Sequence, residues 1–231
     1  MTKGIVYIAV GKEYTELAQS AAESVRAHSP KLSIQLYTDQ LGFQHDIFDG
    51  ISMIENPHKR SKVDYLPETP FERTLYLDVD TQVVSDITPM FDILDRFDLA
   101  IAHAHRRNHK QTSQVWNVEV PDSFPQMNGG VLLFKNSIPT MKLLKDWREA
   151  YPKAGFMKDQ VTLRELIWQS DLRISILPPE YNIRYEKYLS IWDSKEAAPK
   201  ILHYRSFKQH IIEKKPLRHK LGKFKRKLLG L

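Results

Sequence analysis

Arg73-Thr74-Leu75-Tyr76-Leu77-Asp78-Val79-Asp80-Thr81 is the stretch on which the fold turns. Residues 74–77 form a short, apolar, β-prone run, as expected of a central strand covered on both faces. Side chains alternate along a strand, so Asp78 and Asp80 are expected to leave on the same side. Two like charges placed together at a strand end are costly without a partner. The simplest partner is a hard divalent cation, which prefers carboxylate and phosphate oxygens. Ligands of open α/β sheets collect at the carboxyl ends of strands. The stretch therefore predicts a metal site that grips a diphosphate. A solvated turn can carry two acids as well, so the pair needs support from the rest of the chain.

On the N-terminal side, residues 4–10 read as a buried strand followed by Gly11. Residues 14–28 have helical spacing (Leu17, Ala21 and Val25, with Ala18 and Ala22 beside them), and Pro30 ends the segment. Residues 32–37 alternate as a second strand, and residues 47–54 hold a third, short one. Strand, helix, strand with right-handed crossovers predicts a doubly wound, mostly parallel α/β sheet. A Gly-x-Gly-x-x-Gly fingerprint is absent after the first strand, and no Walker-type loop occurs, which disfavours an ordinary dinucleotide or P-loop fold. Lys59 and Arg60 read as a solvated helix face. Lys62 is the cation chosen for a phosphate or carboxylate contact.

On the C-terminal side, Thr88-Pro89 starts a helix with Thr88 as its N-cap, running to about Arg96. Residues 98–102 form a strand. Residues 103–126 are polar, with histidines that lack a zinc spacing, and a loop of this length is read as a mobile cover over a site. Asn128-Gly129-Gly130 feeds the buried strand 131–134, and adjacent glycines permit close backbone approach to a ligand. Residues 138–151 form an amphipathic helix. Asp159 opens the next helix and reads as its capping acid. Residues 174–177 are a strand ended by Pro178-Pro179, and residues 200–204 are a late strand bearing His203.

Taken in order, Tyr-Leu-Asp-Val-Asp-Thr, Asn-Gly-Gly-Val-Leu-Leu-Phe, Asp-Gln, Leu-Pro-Pro-Glu-Tyr-Asn and Ile-Leu-His-Tyr resemble the GT-A glycosyltransferases. The resemblance is strongest to the family-8 type, that of glycogenin and the lipopolysaccharide galactosyltransferases, and covers residues 4–208. It implies a GT-A fold and the following roles. Asp78 and Asp80 match the DxD motif that binds Mn2+ or Mg2+ and, through it, the nucleotide diphosphate. His203 matches the third metal ligand. Ala9, Val10 and Tyr14 fall where the nucleoside base is met, and Lys62 near the cation that touches donor phosphates. Asn128 and Gly129 match the pair beside the donor sugar, and Asp159 and Gln160 the pair near the anomeric carbon. The His-x-x-Gly-x-x-Lys-Pro-Trp phosphate motif is not intact, which leaves its cation open between Arg205 and Lys208. The resemblance implies transfer of a sugar, a hexose by family likeness, from a UDP-sugar to a glycan or glycolipid, with retention.

Composition is that of a soluble globule: 231 residues, 42% apolar and 27% charged. The absence of cysteine excludes disulfides and thiolate metal sites and favours a reducing, cytoplasmic compartment, and no signal peptide is expected. The net charge is +6, yet residues 208–231 carry nine Lys and Arg against one acid, leaving the remainder of the chain at −2. The basic character therefore belongs to the tail and does not mark a nucleic-acid-binding body. We read residues 1–208 as the transferase domain and 209–231 as a tail. In the tail, Leu217, Leu221, Phe224, Leu228 and Leu231 make a helical stripe among basic residues, suited to an anionic membrane surface. Two other classes share features with this chain. A phosphatase of the haloacid dehalogenase type also uses Asp-x-Asp, but Gln82 stands where it wants Thr or Val. A non-catalytic sugar or nucleotide binder could share the fold.

Overall fold

A computed structural model describes residues 1–193 and 195–207. The chain opens with strand β1 (Lys3–Ala9), helix α1 (Lys12–His28), strand β2 (Ser33–Thr38) and strand β3 (Gly50–Met53). These pair in parallel, and β1 also pairs in parallel with β4 (Arg73–Leu77). Between β1 and α1 the backbone turns at Gly11, whose φ of 90° suits glycine alone. The Gly11 amide donates to the Asp39 carboxylate at 2.8 Å, tying the β1 turn to the end of β2. Helix α1 buries Leu17, Ala18, Ala21, Ala22 and Val25, the stripe its spacing predicts.

Four further strands complete the framework: β5 (Thr81–Val83), β6 (Leu99–His103), β7 (Met127–Lys135) and β8 (Ile174–Leu177). The main sheet has seven strands in the order β3-β2-β1-β4-β7-β6-β8. It is mostly parallel, but β7 runs antiparallel to both β4 and β6. The last strand, β9 (Ile201–His203), pairs with β5 as a separate two-stranded ribbon, with Thr81 opposite His203, and bridges Ile183 on its other edge.

Helices α2 (Lys62–Tyr65), α3 (Ile138–Ala154), α4 (Gln160–Trp168) and α5 (Lys187–Ile191) complete the described fold. One apolar core packs α1 against one face of the sheet; a second packs Leu144, Trp147, Leu163 and Ile167 of α3 and α4 against the other. The sheet is thus covered on both faces, which is why β4 is buried at every position.

Local details depart from the sequence reading. Residues 88–95 form a 3-10 helix rather than an α-helix. Ile87, not Thr88, occupies its N-cap, and the Asp86 carboxylate accepts the Thr88 amide at 2.9 Å. Within residues 103–126, the stretch 116–125 is tethered to α4. The buried Glu165 carboxylate accepts the amides of Trp116, Asn117 and Val118. The neighbouring Arg164 donates to the carbonyls of Val120, Pro121, Phe124 and Pro125. No described helix is long and apolar enough to cross a membrane. The stripe from Leu217 to Leu231 lies outside the described residues.

Candidate active site

β4 ends at Leu77, so the two aspartates stand in the turn that follows rather than on the strand itself. The ladder nevertheless continues one step, because the Asp78 amide donates to the Gly130 carbonyl at 2.8 Å. Val79 turns into the core while Asp78 and Asp80 face outward, so the alternation the sequence predicts survives past the strand end. Thr81 Oγ1 closes the turn by donating to the Asp78 carbonyl at 2.8 Å. The chain then enters β5, and pairing with β9 delivers His203 beside Asp80 across 123 residues of sequence.

His203 is 2% exposed. Its Nε2 lies 3.0 Å from Asp80 Oδ1 and 3.6 Å from Asp78 Oδ2. Its Nδ1 bonds the Asn182 side-chain oxygen at 2.8 Å. Asn182 is placed by the same ribbon, because on the far side of β9 the Ile183 amide donates to the Ile201 carbonyl and the His203 amide donates to the Ile183 carbonyl. With Nδ1 engaged, Nε2 is the nitrogen aimed at the acids. One ligand atom from each of Asp78, Asp80 and His203 falls within 4.8 Å of the others. Two carboxylates and one imidazole suit a divalent cation such as Mn2+.

A second observation supports the fit. A Cβ built on Gly130 would stand 2.6 Å from Asp78 Oδ2 and collide with the His203 ring, so only glycine leaves room for this cluster. Gly129, the residue chosen from the sequence, would meet Lys62 Nζ at an ordinary 3.5 Å. The strand pairing explains the placement. The β6–β7 register slips between Ile101 and Ala102, from Ile101 opposite Leu132 to Ala102 opposite Asn128. The resulting bulge carries Asn128–Gly130 toward Asp78, a common use of bulges beside active sites.

Lys62 and Asp159 form the other wall. Lys62 Nζ stands 3.0 Å from Asp159 Oδ2, 3.5 Å from Asp78 Oδ1 and 3.1 Å from the Gly129 carbonyl. Asp159 makes no side-chain cap for α4; it is buried and pairs with Lys62 and with Arg60, whose Nε is 3.7 Å away. Arg60 is accordingly turned inward rather than solvated. Tyr76 donates its hydroxyl to Asp78 at 2.7 Å.

The charges hold one another in place. Burial alone would push the Asp78 carboxyl up, but Lys62 and His203 outweigh it and keep it below the usual carboxylate range. Asp80 is likewise opposed by burial, yet His203 and then Arg184 take it down to about 2. Burial would lower the Lys62 ammonium; Asp159 and Asp78 reverse that and hold it above its ordinary value.

These groups line a cleft of about 570 Å³. Val10, Tyr14, Lys62, Asp78, Asp80, Asn128, Gly129, Asp159, Gln160, His203 and Arg205 all face it. Ala9 does not: its side chain is buried in the core, between Ile8 and Val10, which do reach the cleft. Lys208 lies outside the described residues. Tyr76, Gly130 and Arg184 also line the cleft and Asn182 stands behind it; none of the four is among the site residues expected from the sequence, although Gly130 and Asn182 fall within its quoted motifs. A Tyr two residues before the first Asp, a Gly after Asn-Gly and the Asn that ends Leu-Pro-Pro-Glu-Tyr-Asn are visible signals; the place of Arg184 depends on the β9 ribbon and has none.

The model of the nucleotide-diphospho-sugar transferase family matches residues 73–213, more than half of the chain. No curated protein matches by overall sequence. Among solved structures, the galactosyltransferase LgtC in complex with donor and acceptor sugar analogs superposes with a TM-score of 0.63 at 19% identity, covering 87% of each chain. A second LgtC structure carries an active-site substitution of glutamine by glutamate. The glycosyltransferase GlyE of Streptococcus pneumoniae TIGR4 gives 0.59 at 21% identity, over 87% of this chain and 55% of that one. Mouse xyloside xylosyltransferase 1 gives 0.58 at 12% identity, over 88% and 97%. The match sets aside the phosphatase alternative. With the acids, the imidazole and the glycine cradle at the ends of β4, β9 and β7, the chain belongs to the nucleotide-diphospho-sugar transferase family and is a glycosyltransferase of the GT-A, family-8-like type.

Proposed function

We propose that this glycosyltransferase moves a hexose from a UDP-sugar to a glycan or glycolipid acceptor, with Mn2+ or Mg2+ held by Asp78, Asp80 and His203, and with retention of configuration. The observation that carries the reading is the convergence of those three side chains on the wall of a cleft whose other wall is Lys62, Asp159 and Gln160. A bound divalent ion would supply counter-charge and Lewis acidity to the departing diphosphate. The chain's own residues do the rest. Val10 and Tyr14 border the end of the cleft assigned to the nucleoside base, and the Ala9 backbone supports them. Asn128 and Gly129 border the donor sugar. Lys62, buried beside Asp78, is the cation at the floor that can grip the leaving phosphates, while Arg205 stands at the exposed mouth of the cleft.

Gln160 donates its Nε2 to the Met127 carbonyl. Its amide oxygen is therefore the atom left to face positive charge developing at the anomeric carbon, a role that carboxylates play in glycoside chemistry. The glutamine-to-glutamate variant described as an active-site mutant in LgtC supports looking there. Asp159 is held between Lys62 and Arg60, which suits an electrostatic role and leaves its oxygens engaged rather than poised as a nucleophile.

The test is a thermal-shift panel of nucleoside diphosphates with and without Mn2+. Stabilisation by UDP only with metal, abolished in Asp80→Ala, is the expected result through ligand linkage. Slow metal-dependent hydrolysis of a UDP-hexose would separate turnover from mere binding. A UDP shift that is indifferent to metal would end the proposal. We further infer a cytoplasmic protein that works at the inner membrane face, its basic tail meeting anionic lipid and bringing a glycolipid acceptor within reach.

A further inference from the structure

Six cationic side chains line the cleft: Lys59, Arg60, Lys62, Lys158, Arg184 and Arg205. Only three carboxylates line it with them, Asp78, Asp80 and Asp159. The acids are already matched inside the protein. Lys62 and Arg60 sit against Asp159, Lys62 also against Asp78, and Arg184 lowers Asp80 together with His203. A divalent cation would add two positive charges, and a nucleoside diphosphate sugar would bring about two negative ones that cancel them. Lys59, Lys158 and Arg205 are then left over. None of the three has an ion-pair partner among the described residues.

Their position is informative. Lys59 and Arg205 are exposed and Lys158 is half-buried, so they stand at the mouth of the cleft rather than at its floor. Burial and the cations Arg60, Arg205 and Lys59 all oppose the charge on Lys158, and only Asp159 supports it. A low-dielectric cleft edged with one sign of charge concentrates ligands of the other sign. The chain also leaves the described residues at Phe207, two positions past Arg205, and continues into the segment that carries the surplus of eight positive charges.

We infer that the acceptor is an anionic saccharide, one bearing a phosphate or carboxylate that docks between Lys59, Lys158 and Arg205 while its hydroxyl faces the donor. This rests on the transferase reading given above and adds the acceptor's chemical class to it. The rim and the floor divide the labour: the floor takes the diphosphate, and the rim takes the second substrate's charge.

The experiment uses the full chain with UDP-hexose and Mn2+. Transfer to a hexose and to its 6-phosphate is compared in the wild type and in a Lys59→Gln/Lys158→Gln variant. The wild type should favour the phosphorylated sugar by at least about tenfold, as expected of charge-assisted contacts. The variant should lose that preference through acceptor KM, while its Mn2+-dependent UDP thermal shift is unchanged. Equal use of the charged and neutral sugars by the wild type overturns the inference. So does a weakened UDP shift in the variant, which would assign the rim to the donor. Competition by phosphatidylglycerol vesicles but not by hexose 6-phosphate would assign the rim to a lipid surface and overturn it as well. No metal-dependent UDP shift in the wild type would defeat the transferase reading together with this one; a normal shift without anion preference defeats this one alone.

Discussion

Gly130 shows how one absent methylene can hold a site open. The sequence presents two adjacent glycines after Asn128, and nothing local says which of them matters. The bulge in β7 decides it by turning the Gly130 α-carbon toward the Asp78 carboxylate and the His203 ring. Gly130→Ala is expected to abolish the Mn2+-dependent part of the UDP thermal shift, whereas Gly129→Ala, with its nearest neighbour at 3.5 Å, should retain it. Lys62 offers a second test at this scale. It is the buried cation between two acids, and Lys62→Met would strand Asp159, leaving only Arg60 at 3.7 Å. Breaking a buried pair by removing one partner typically costs about 3–5 kcal/mol. Arg60 offsets part of that, so a loss at the lower end is expected in urea denaturation, with recovery in Lys62→Met/Asp159→Asn. Asp80 supplies the pH dependence. Its carboxyl is depressed in the folded protein to about 2, so the stability it contributes is full above the ordinary carboxylate value and is lost as pH falls through about 2. The metal-free protein should therefore lose stability on acidification below about pH 4, near the ordinary carboxylate pKa. Asp80→Asn should show a shallower acid limb in the same titration.

At the scale of elements, local pattern carried the framework and failed where long-range pairing decides. The apolar runs of β1, β2 and β4 and the Leu17–Val25 stripe of α1 are legible because the pattern that marks each as buried is local, whichever distant element covers it. Strand direction is not, since β7 has the same period of two whether it runs parallel or antiparallel. The β5–β9 ribbon, which brings Asn182 and His203 to Asp80, was invisible for the same reason; His203 itself could be named only through the family resemblance. The tethers of the segment 103–126 lie in α4, so its own sequence does not show them. Arg164 and Glu165 look like ordinary surface charges of a helix, yet both are buried and spend themselves on loop carbonyls and amides. Because α4 also begins at Gln160, the loop and the cleft share one support. Glu165→Ala should unfasten the amides of Trp116, Asn117 and Val118. We expect faster hydrogen exchange at those three positions, with the amides of β1 and β4 unaffected. A stability loss of about 1–3 kcal/mol is expected from the unpaired amides. Uniform exchange across the sheet would mean that the carboxylate supports the whole fold and not this loop.

For the whole molecule, charge is segregated along the chain: residues 208–231 hold a surplus of eight positive charges, and the remainder is slightly acidic. That division is legible from composition alone, because it depends on no contact. In sequence, the basic segment follows β9, whose residue His203 and near neighbour Arg205 belong to the cleft. Beyond Pro216 lie six Lys and Arg interleaved with the apolar stripe. Each contributes about 1 kcal/mol near an anionic leaflet at most, and the contribution falls off within a Debye length of about 8 Å at physiological salt. Even after heavy screening, removal of the chain from Pro216 onward should cut binding to phosphatidylglycerol vesicles by at least about tenfold, as read by flotation, and binding of the intact chain should weaken as salt is raised. The Mn2+-dependent UDP shift of the shortened chain should be unchanged, since none of Asp78, Asp80, Lys62 or His203 is touched. Undiminished flotation after the cut would place membrane attraction on the cleft rim itself, and the tail would then need another role.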